Sequence, residues 1–284
     1  MKAGVKIKYW NSNSSVDSLT GYNAFILDPY GVYAASNIKV NAGATLVFDE
    51  STKIYPQVEV SYKLLGDLAV LKAFAITRFN RNNHENTYDY NPFISELNQY
   101  GIEREMQFGA EVGGRTEKWS YELGVYYSNH EDIQEYRLDS VSQDYLYNVN
   151  LIDGNAINFR LNGSYEVTDY LDLTSAVLYR NLRDTLGENI LGYYDVEWEI
   201  GARLKLLNNK FTISPRSSFL LLNPLQTSDA DANFIDLQLE MNYDVTKNIS
   251  IYAKGFNLLN QRNARWQGYD ALGVSALGGI RVIF

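Results

Sequence analysis

Long stretches of the chain alternate between apolar and polar residues. From Ile235 to Asp244 every odd position is apolar and every even position is polar, which is the period of a β-strand with two unlike faces. The segments Tyr194–Leu206 and Lys53–Leu64 follow the same alternation. Each run has about ten or more residues, which suits a tilted membrane-crossing strand of about 9–11 residues better than a soluble strand of about 5–6. The pattern therefore predicts strands that cross a membrane.

The connections between these runs are alternately short and long. Short ones lie near Leu65–Asp67, Gly114–Glu117, Thr168–Tyr170, Leu207–Lys210 and Thr246–Lys247. Longer polar segments lie at Asn80–Glu103, Asn129–Asn155, Leu182–Gly192, Asn223–Asp231 and Leu259–Gly273. Short turns on one side and long loops on the other are typical of outer-membrane barrels, in which the turns are periplasmic and the loops extracellular.

The alternation predicts an all-β protein, an antiparallel transmembrane β-barrel with about fourteen long strands. They are expected near 2–11, 22–33, 37–49, 53–64, 68–79, 104–113, 118–128, 156–167, 171–181, 193–206, 211–222, 232–244, 248–258 and 274–284. The second is interrupted by Pro29, and the fifth is apolar on both faces. No linker or second domain is evident, so residues 1–284 are interpreted as one barrel domain.

Aromatic residues occur at both ends of the expected lipid-facing positions. Tyr62, Trp119, Tyr165 and Tyr243 lie near the short-turn end, and Tyr9, Phe48, Phe79, Tyr127, Tyr179 and Tyr194 lie near the long-loop end. The chain contains 23 tyrosines, a side chain that suits a boundary between water and lipid. Soluble strands also favour aromatic residues, but placement at both ends of one face favours two interfacial girdles.

Composition and charge exclude several other classes of protein. The formal net charge of −9 disfavours nucleic-acid binding through a basic face. The absence of cysteine removes disulfides, thiolate catalysis and zinc–thiolate sites. No segment approaches the roughly 20 consecutive apolar residues of a membrane-spanning helix. The negative mean hydropathy is still compatible with a barrel, because lumen-facing polar residues alternate with lipid-facing apolar ones.

The first residues already show a strand-like pattern, Ala3–Tyr9, without the charged and apolar regions of a signal peptide. An outer-membrane protein must be exported. We therefore expect that a signal has been removed or that the chain starts partway through a longer one.

The C-terminal region resembles a known family. Asn257-Leu258-Leu259-Asn260 ends one predicted strand, a loop follows, and a final alternating strand stops at Phe284. This arrangement is similar to the C-terminal end of TonB-dependent outer-membrane receptors, whose penultimate strand ends in an Asn-Leu-hydrophobic-Asn/Asp element. Two positions depart from the family pattern. Asn263 replaces a common aromatic residue, and Gly273-Val274 replaces the usual Gly-Arg.

The resemblance implies a barrel of about 22 strands with an N-terminal plug that receives energy from a TonB-type transducer. It also implies that the barrel assembly machinery reads the aromatic carboxy-terminal residue, Phe284. The chain is therefore expected to be the C-terminal part of a receptor, without its plug, that imports a scarce nutrient such as a metal chelate or an oligosaccharide. A stand-alone passive porin or fatty-acid-type channel of about fourteen strands is the alternative, and a structural or adhesive barrel is a third class.

Little in the sequence points to catalysis or to a cofactor. The two histidines, His84 and His130, fall in predicted long loops, where polar loop composition explains them as well as metal binding does. No catalytic or metal-ligating set is predicted. Loop aromatics could recognise a small-molecule ligand, or could simply pack against other loops. Those chosen as possible ligand contacts are Tyr88, Tyr90, Tyr136, Trp266 and Tyr269.

Charged residues line the face expected to point into the lumen. They include Asp195, Glu199, Arg203, Lys205, Arg216, Asp236 and Glu240. Such a wall could conduct solutes, pack against a plug or bind a ligand. Any water-filled lumen is also polar, so the charges alone do not decide among these roles. The opposite, apolar face of the strands is expected to contact outer-membrane lipid.

Overall fold

A computed structural model describes residues 1–12, 22–49, 52–97, 101–139, 146–222, 233–262, 266, 269 and 272–283. The described chain contains fifteen β-strands and one short helix. In chain order they are β1 (Lys2–Ser12), β2 (Tyr22–Ala34), β3 (Ile38–Phe48), β4 (Thr52–Lys63), β5 (Val70–Asn82), α1 (His84–Tyr90), β6 (Ile94–Leu97), β7 (Gly101–Arg115), β8 (Trp119–Leu138), β9 (Tyr147–Thr168), β10 (Leu171–Asp184), β11 (Tyr194–Leu206), β12 (Phe211–Leu222), β13 (Asn233–Asp244), β14 (Ile249–Phe256) and β15 (Ser275–Val282). No helix among the described residues is long and apolar enough to cross a membrane.

The strands form a sheet in which neighbours in sequence are neighbours in space. Its order runs from β1 to β5, continues with β7, and then follows the chain to β15. Strand β6 lies off this path and pairs in parallel with β9. This up-and-down order confirms the predicted all-β class, and all fourteen predicted strands are present.

Pro29 interrupts the pairing of β2 with β3 without ending the strand. Pro29 lies opposite Val5 of β1, while the pairing between β2 and β3 stops at Leu27 and resumes at Tyr30. Proline has no backbone N–H to donate, so a local gap is the expected consequence. The second predicted strand therefore forms despite its proline.

The sheet has one apolar and one polar face. Ile54, Val58, Val60 and Tyr62 of β4 are exposed, and the intervening polar side chains lie on the opposite face. Apolar residues of β8, β9 and β14 are exposed in the same alternating way. A large exposed apolar surface of this kind requires a nonaqueous environment.

The predicted short turns are also present. Leu207, Asn208 and Asn209 adopt positive φ angles of 53°, 55° and 66° between β11 and β12. In the turn between β4 and β5, Lys63 Nζ donates to Asp67 Oδ1 at 2.7 Å, and this bond lowers the pKa of the exposed Asp67 carboxyl. These connections match the positions chosen from sequence.

The expectation of one polar loop over Asn129–Asn155 was wrong. Strand β8 continues to Leu138 and β9 begins at Tyr147. Asp132 has a positive φ of 59°, which marks an irregularity within β8. Beyond it, both faces of the strand are covered, since Ile133, Gln134, Glu135 and Tyr136 are all buried. A strand covered on both faces loses the alternation that identifies strands in sequence.

The segment Asn80–Glu103 is also not a simple loop. It contains α1 and β6. The helix begins after Asn83, whose side chain accepts a hydrogen bond from the Asn86 N–H at 2.9 Å. Thr87 and Asn91 are fully buried, so the helix packs against the protein although its composition is polar.

The internal contacts divide the chain into two units. The first contains Met1–Gly113, Gly124–Asn158 and Asn181–Tyr193. Its described residues include a small apolar core of Ile133, Ala156, Leu182 and Ile190 and another of Ile26, Val47 and Tyr55.

The second unit contains Gly114–Leu123, Phe159–Arg180 and Tyr194–Phe284. Its apolar face carries aromatic pairs across neighbouring strands. Trp198 stacks on Phe219 with ring centroids 5.1 Å apart, and Phe211 meets the edge of Tyr243 at 6.3 Å. Cross-strand aromatic pairs of this kind stabilise a sheet.

Candidate functional site

The Asn257–Asn260 element forms the turn that ends β14. Asn257 and Asn260 both adopt the left-handed conformation, with φ of 47° and 51°, and the Asn260 N–H donates to Asn257 O at 2.8 Å. Asparagine tolerates this region better than most residues. The motif therefore contains asparagine where the backbone reverses.

Asn257 also connects the two ends of the loop that follows. Its side-chain nitrogen donates to Gln261 O at 2.7 Å and to Leu272 O at 2.6 Å, and its side-chain oxygen accepts from the Gln261 N–H at 2.9 Å. The Asn257 N–H donates to Asp236 Oδ1 of β13 at 2.9 Å. With 6% of its surface exposed, Asn257 closes the loop between β14 and β15. This role is structural and was not apparent from the sequence.

Phe284 lies outside the described residues, so its role as an assembly signal stays a prediction. The last described residues are held to the neighbouring turn. The Ile283 N–H donates to Asn248 O at 2.9 Å, and Asn248 Nδ2 donates to Ile283 O at 2.9 Å.

Two of the candidate ligand contacts belong to a packed cluster in the first unit. Tyr136 is 2% exposed, its ring lies 5.3 Å from that of Tyr90, and its hydroxyl donates to Gln134 Oε1 at 2.8 Å. The Tyr90 hydroxyl donates to Gly192 O at 2.6 Å. This cluster joins α1, β8 and the segment before β11. Tyr136 thus has almost no surface left for a ligand.

Of the other three candidates, Tyr88 lies on α1, and Trp266 and Tyr269 lie between β14 and β15. Tyr88 is partly exposed. Trp266 is buried, and the Tyr269 N–H donates to Trp266 O at 3.1 Å. Ligand contact by the loop aromatics stays a prediction, with Tyr88 and Tyr269 having more accessible surface than Tyr136 and Trp266.

The placement of His130 in a loop was wrong, because it lies in β8. Ser128 Oγ lies 3.0 Å from His130 Nε2, and His130 Nδ1 lies 3.0 Å from Glu103 Oε1. Asn158 Nδ2 donates to Ser128 Oγ at 3.0 Å. The histidine packs in this polar network because Ser128 and Glu103 lie on the same face of neighbouring strands.

The Ser128–His130–Glu103 arrangement has the hydrogen-bond order of a hydrolytic triad. Ser128, however, is 0% exposed, and a nucleophile must reach its substrate. The hydrogen bonds of this network satisfy buried polar groups, and we assign it no catalytic role. Among the described residues no group of three His, Asp or Glu is placed to hold a metal ion. The side chain of His84 is outside the described part.

Arg104 lies near the start of β7 and contacts two other segments of the first unit, the end of β3 and the middle of β8. Its Nη2 lies 2.6 Å from Asp49 Oδ2, and its Nη1 lies 3.2 Å from Asp132 Oδ2 and 3.5 Å from Glu131 Oε2. The side chain of Arg104 is largely buried, which makes these charge-assisted contacts stronger than exposed ones. Sequence reasoning missed this cluster, since its members lie far apart in the chain.

Comparison by sequence identified no relative. No protein-family profile matches the chain, and no curated protein matches it.

Comparison by structure gave clear matches. The fold is similar to that of the copper transporter OprC, with a TM-score of 0.67 and 12% identity over 92% of this chain and 48% of that protein. The ferric enterobactin receptor PfeA of Pseudomonas aeruginosa gives a TM-score of 0.67 at 12% identity, over 95% and 47% of the two chains. The FrpB iron transporter of Neisseria meningitidis gives 0.63 at 10% identity, over 93% and 46%.

The chain has the fold of a TonB-dependent receptor barrel. It spans about half the length of each of these three proteins. The resemblance drawn from Asn257–Asn260 is therefore confirmed at the level of the fold. The predicted outer-membrane location agrees with this fold. The matched proteins are transporters and receptors, not enzymes.

In a receptor barrel of this fold the polar face of the sheet lines the lumen. In the second unit that face carries ion pairs between neighbouring strands. Lys205 Nζ lies 2.8 Å from Asp172 Oδ2, and Lys254 Nζ lies 3.0 Å from Glu240 Oε2. Their apolar neighbours on β13, Met241 and Tyr243, are exposed on the other face. The predicted lumen-facing charges thus lie on one side of the sheet.

Proposed function

We propose that this chain is the barrel wall of an outer-membrane receptor that imports a scarce nutrient by energy-dependent transport. The observation that carries the proposal is the match of 92–95% of the chain to OprC and PfeA at a TM-score of 0.67. The Asn257-centred turn ahead of the last strand supports it independently, because the likeness of Asn257–Asn260 to this family rests on residue types and not on the fold.

A metal or a metal chelate is the nutrient class that we favour over an oligosaccharide. Proteins with the same fold are named for copper, ferric enterobactin and pyoverdine. Recognition would fall to the extracellular loops, with Tyr88 and Tyr269 as aromatic contacts. Outer-membrane lipid would cover the apolar face, and the barrel assembly machinery would insert the chain.

Energy would come from a TonB-type transducer acting through a plug domain in the rest of the receptor. We propose that the 284 residues form part of the complete barrel. The chain matches only 47–48% of the length of OprC and PfeA, which leaves room in the whole protein for a plug and further strands.

The test is uptake of a radioactive ferric chelate by cells that carry the complete gene. We expect uptake to fall to background when the gene is deleted, and also when the energy transducer of the inner membrane is deleted. Uptake that depends on the gene but persists without the transducer would contradict the receptor and favour the passive channel. A labelled oligosaccharide serves as the parallel substrate, and transducer-dependent uptake of it alone would overturn the choice of nutrient class.

A further inference from the structure

The turn between β4 and β5, residues 64–69, exposes three leucines. Leu64, Leu65 and Leu68 are 55%, 64% and 51% exposed. Single exposed apolar side chains are ordinary on a protein surface, but a contiguous group marks contact with a membrane or with a partner. The other short connections have at most one large apolar residue each, and they lie at 35–37, 116–118, 169–170, 207–210 and 245–248. The leucines of this one turn therefore call for a specific explanation.

Hydrogen bonds within the turn hold its backbone in one conformation. The Leu64 N–H donates to Ala69 O at 2.9 Å, and the Leu68 N–H donates to Leu65 O at 3.1 Å. The Lys63 ammonium lies 2.7 Å from the Asp67 carboxylate, so these two charges offset each other. The turn therefore presents apolar side chains without net charge, which lowers the cost of bringing it close to lipid.

The leucines also continue the lipid-facing surface of the sheet. Alternate residues of β4, from Ile54 to Tyr62, are exposed on its apolar face, and Leu64 is the next position in that alternation. On β5, the exposed Leu71 lies opposite Tyr62. The turn is thus joined without a break to a surface that lies in lipid.

The height of this apolar surface brings the turn to the edge of the membrane. The ten residue steps from Ile54 to Leu64 rise about 34 Å along the strand at about 3.4 Å each. At a strand tilt of about 40° this is about 26 Å across the membrane, and the apolar band of outer-membrane barrels is about 25 Å tall. Leu64 therefore lies at the lower edge of the hydrocarbon, and Leu65 and Leu68 lie at the boundary with the lipid headgroups.

We propose that the turn over residues 64–69 is inserted into the inner leaflet of the outer membrane, with its three leucines in contact with lipid and not with periplasmic water. The inserted turn holds the β4–β5 hairpin at a fixed depth, because withdrawing it would expose the leucines to water. Lipid is the occupant that fits, since the turn continues a lipid-facing surface. The inference rests on the membrane location and on the periplasmic position of the short turns. It does not depend on the nutrient, so it applies to a receptor and to a channel alike.

The test is spin-label accessibility in the protein expressed from the complete gene and reconstituted into lipid vesicles. Residues 1–284 contain no cysteine, so a nitroxide can be attached at one introduced cysteine at a time, with any cysteine elsewhere replaced by serine. The test variants are Leu64→Cys and Leu65→Cys. Val60→Cys, on the exposed apolar face of β4, is the reference for lipid. Ser36→Cys, in the exposed turn between β2 and β3, is the matched control for water.

Oxygen is apolar and concentrates in lipid, whereas a nickel chelate is polar and stays in water. We expect the ratio of oxygen to nickel collisions to be several-fold higher at Leu64 and Leu65 than at Ser36, and highest at Val60, which lies nearer the middle of the membrane. A ratio at both leucine positions equal to that at Ser36 would overturn the proposal. Protection of both positions from oxygen and nickel alike would also overturn it, because protein and not lipid would then cover the turn. A low ratio at Val60 as well would overturn the membrane assignment of β4, and the inference with it.

Discussion

At the scale of single residues, Asn257 stabilises its turn in two ways, through its backbone conformation and through its side-chain hydrogen bonds. Its side chain makes three hydrogen bonds that hold Gln261 and Leu272 together, and its φ is 47°. Alanine would lose the bonds and would also be strained in the left-handed region. Net hydrogen bonds contribute about 1 kcal/mol each, and left-handed backbone costs an ordinary residue about 1–2 kcal/mol.

We therefore expect Asn257→Ala to lower the free energy of unfolding by about 4–5 kcal/mol. Asn257→Gly should lose about 1 kcal/mol less, because glycine accepts the positive φ. The measurement is urea unfolding of each variant in lipid vesicles. Equal losses for the two variants would show that backbone conformation contributes nothing at this position, and no loss for either would contradict the closing role of Asn257.

The hydrogen-bond partners of His130 depend on which strands are neighbours in the fold. Ser128 and His130 are two apart in sequence, which in a strand places them on one face. Glu103 is 27 positions away from His130 and reaches it only because β7 and β8 are neighbours in the sheet. The spacing of Ser128 and His130 is visible in the sequence. Their third partner, Glu103, is determined by the pairing of β7 with β8.

At the scale of elements, β13 tests which face meets lipid. Leu239 lies opposite Pro215 and Gly255, while Glu240 lies opposite Ser214 and Lys254. Leu239→Arg should cost about 2–4 kcal/mol, since a guanidinium on the lipid face has neither water nor a partner. Glu240→Arg should cost about 1 kcal/mol or less, because it loses a partly exposed pair with Lys254 in contact with water.

Folding of both variants into lipid vesicles measures this difference. Met241→Gln serves as a milder substitution on the same lipid face and should give an intermediate loss. Equal destabilisation by the two arginine variants, or a larger loss from Glu240→Arg, would show that the two faces of β13 are assigned the wrong way round.

At the scale of the whole molecule, the alternation of short and long connections fixes orientation. The connection between Leu138 and Tyr147 should be extracellular, and the turn at Leu207–Lys210 should be periplasmic. A specific protease site inserted between Gln143 and Asp144 should be cut when protease is added to intact cells. The same site inserted between Asn208 and Asn209 should be cut only after the outer membrane is opened. The reverse pattern would invert the topology.

The sequence alone determined fourteen of the fifteen described strands, although not the full lengths of β8 and β9, together with the short turns and the two faces of the sheet. These properties are local, since the side-chain period of a strand and the residues of a tight turn are visible within about ten positions. The same locality explains the recognition of Asn257–Asn260, which lies within one turn. For this reason the strands predicted over 232–244 and 193–206 lie within one residue of their observed limits, Asn233–Asp244 and Tyr194–Leu206.

Only the tertiary structure decided which distant residues meet. Strand β8 extends to Leu138 because α1 and the segment before β11 cover its two faces, and a strand buried on both sides has no alternation to detect. The contacts of Arg104 with Asp49 and Asp132 follow from strand register. Register is fixed by pairing across the sheet and not by the composition of either strand, so this cluster became visible only in the folded chain.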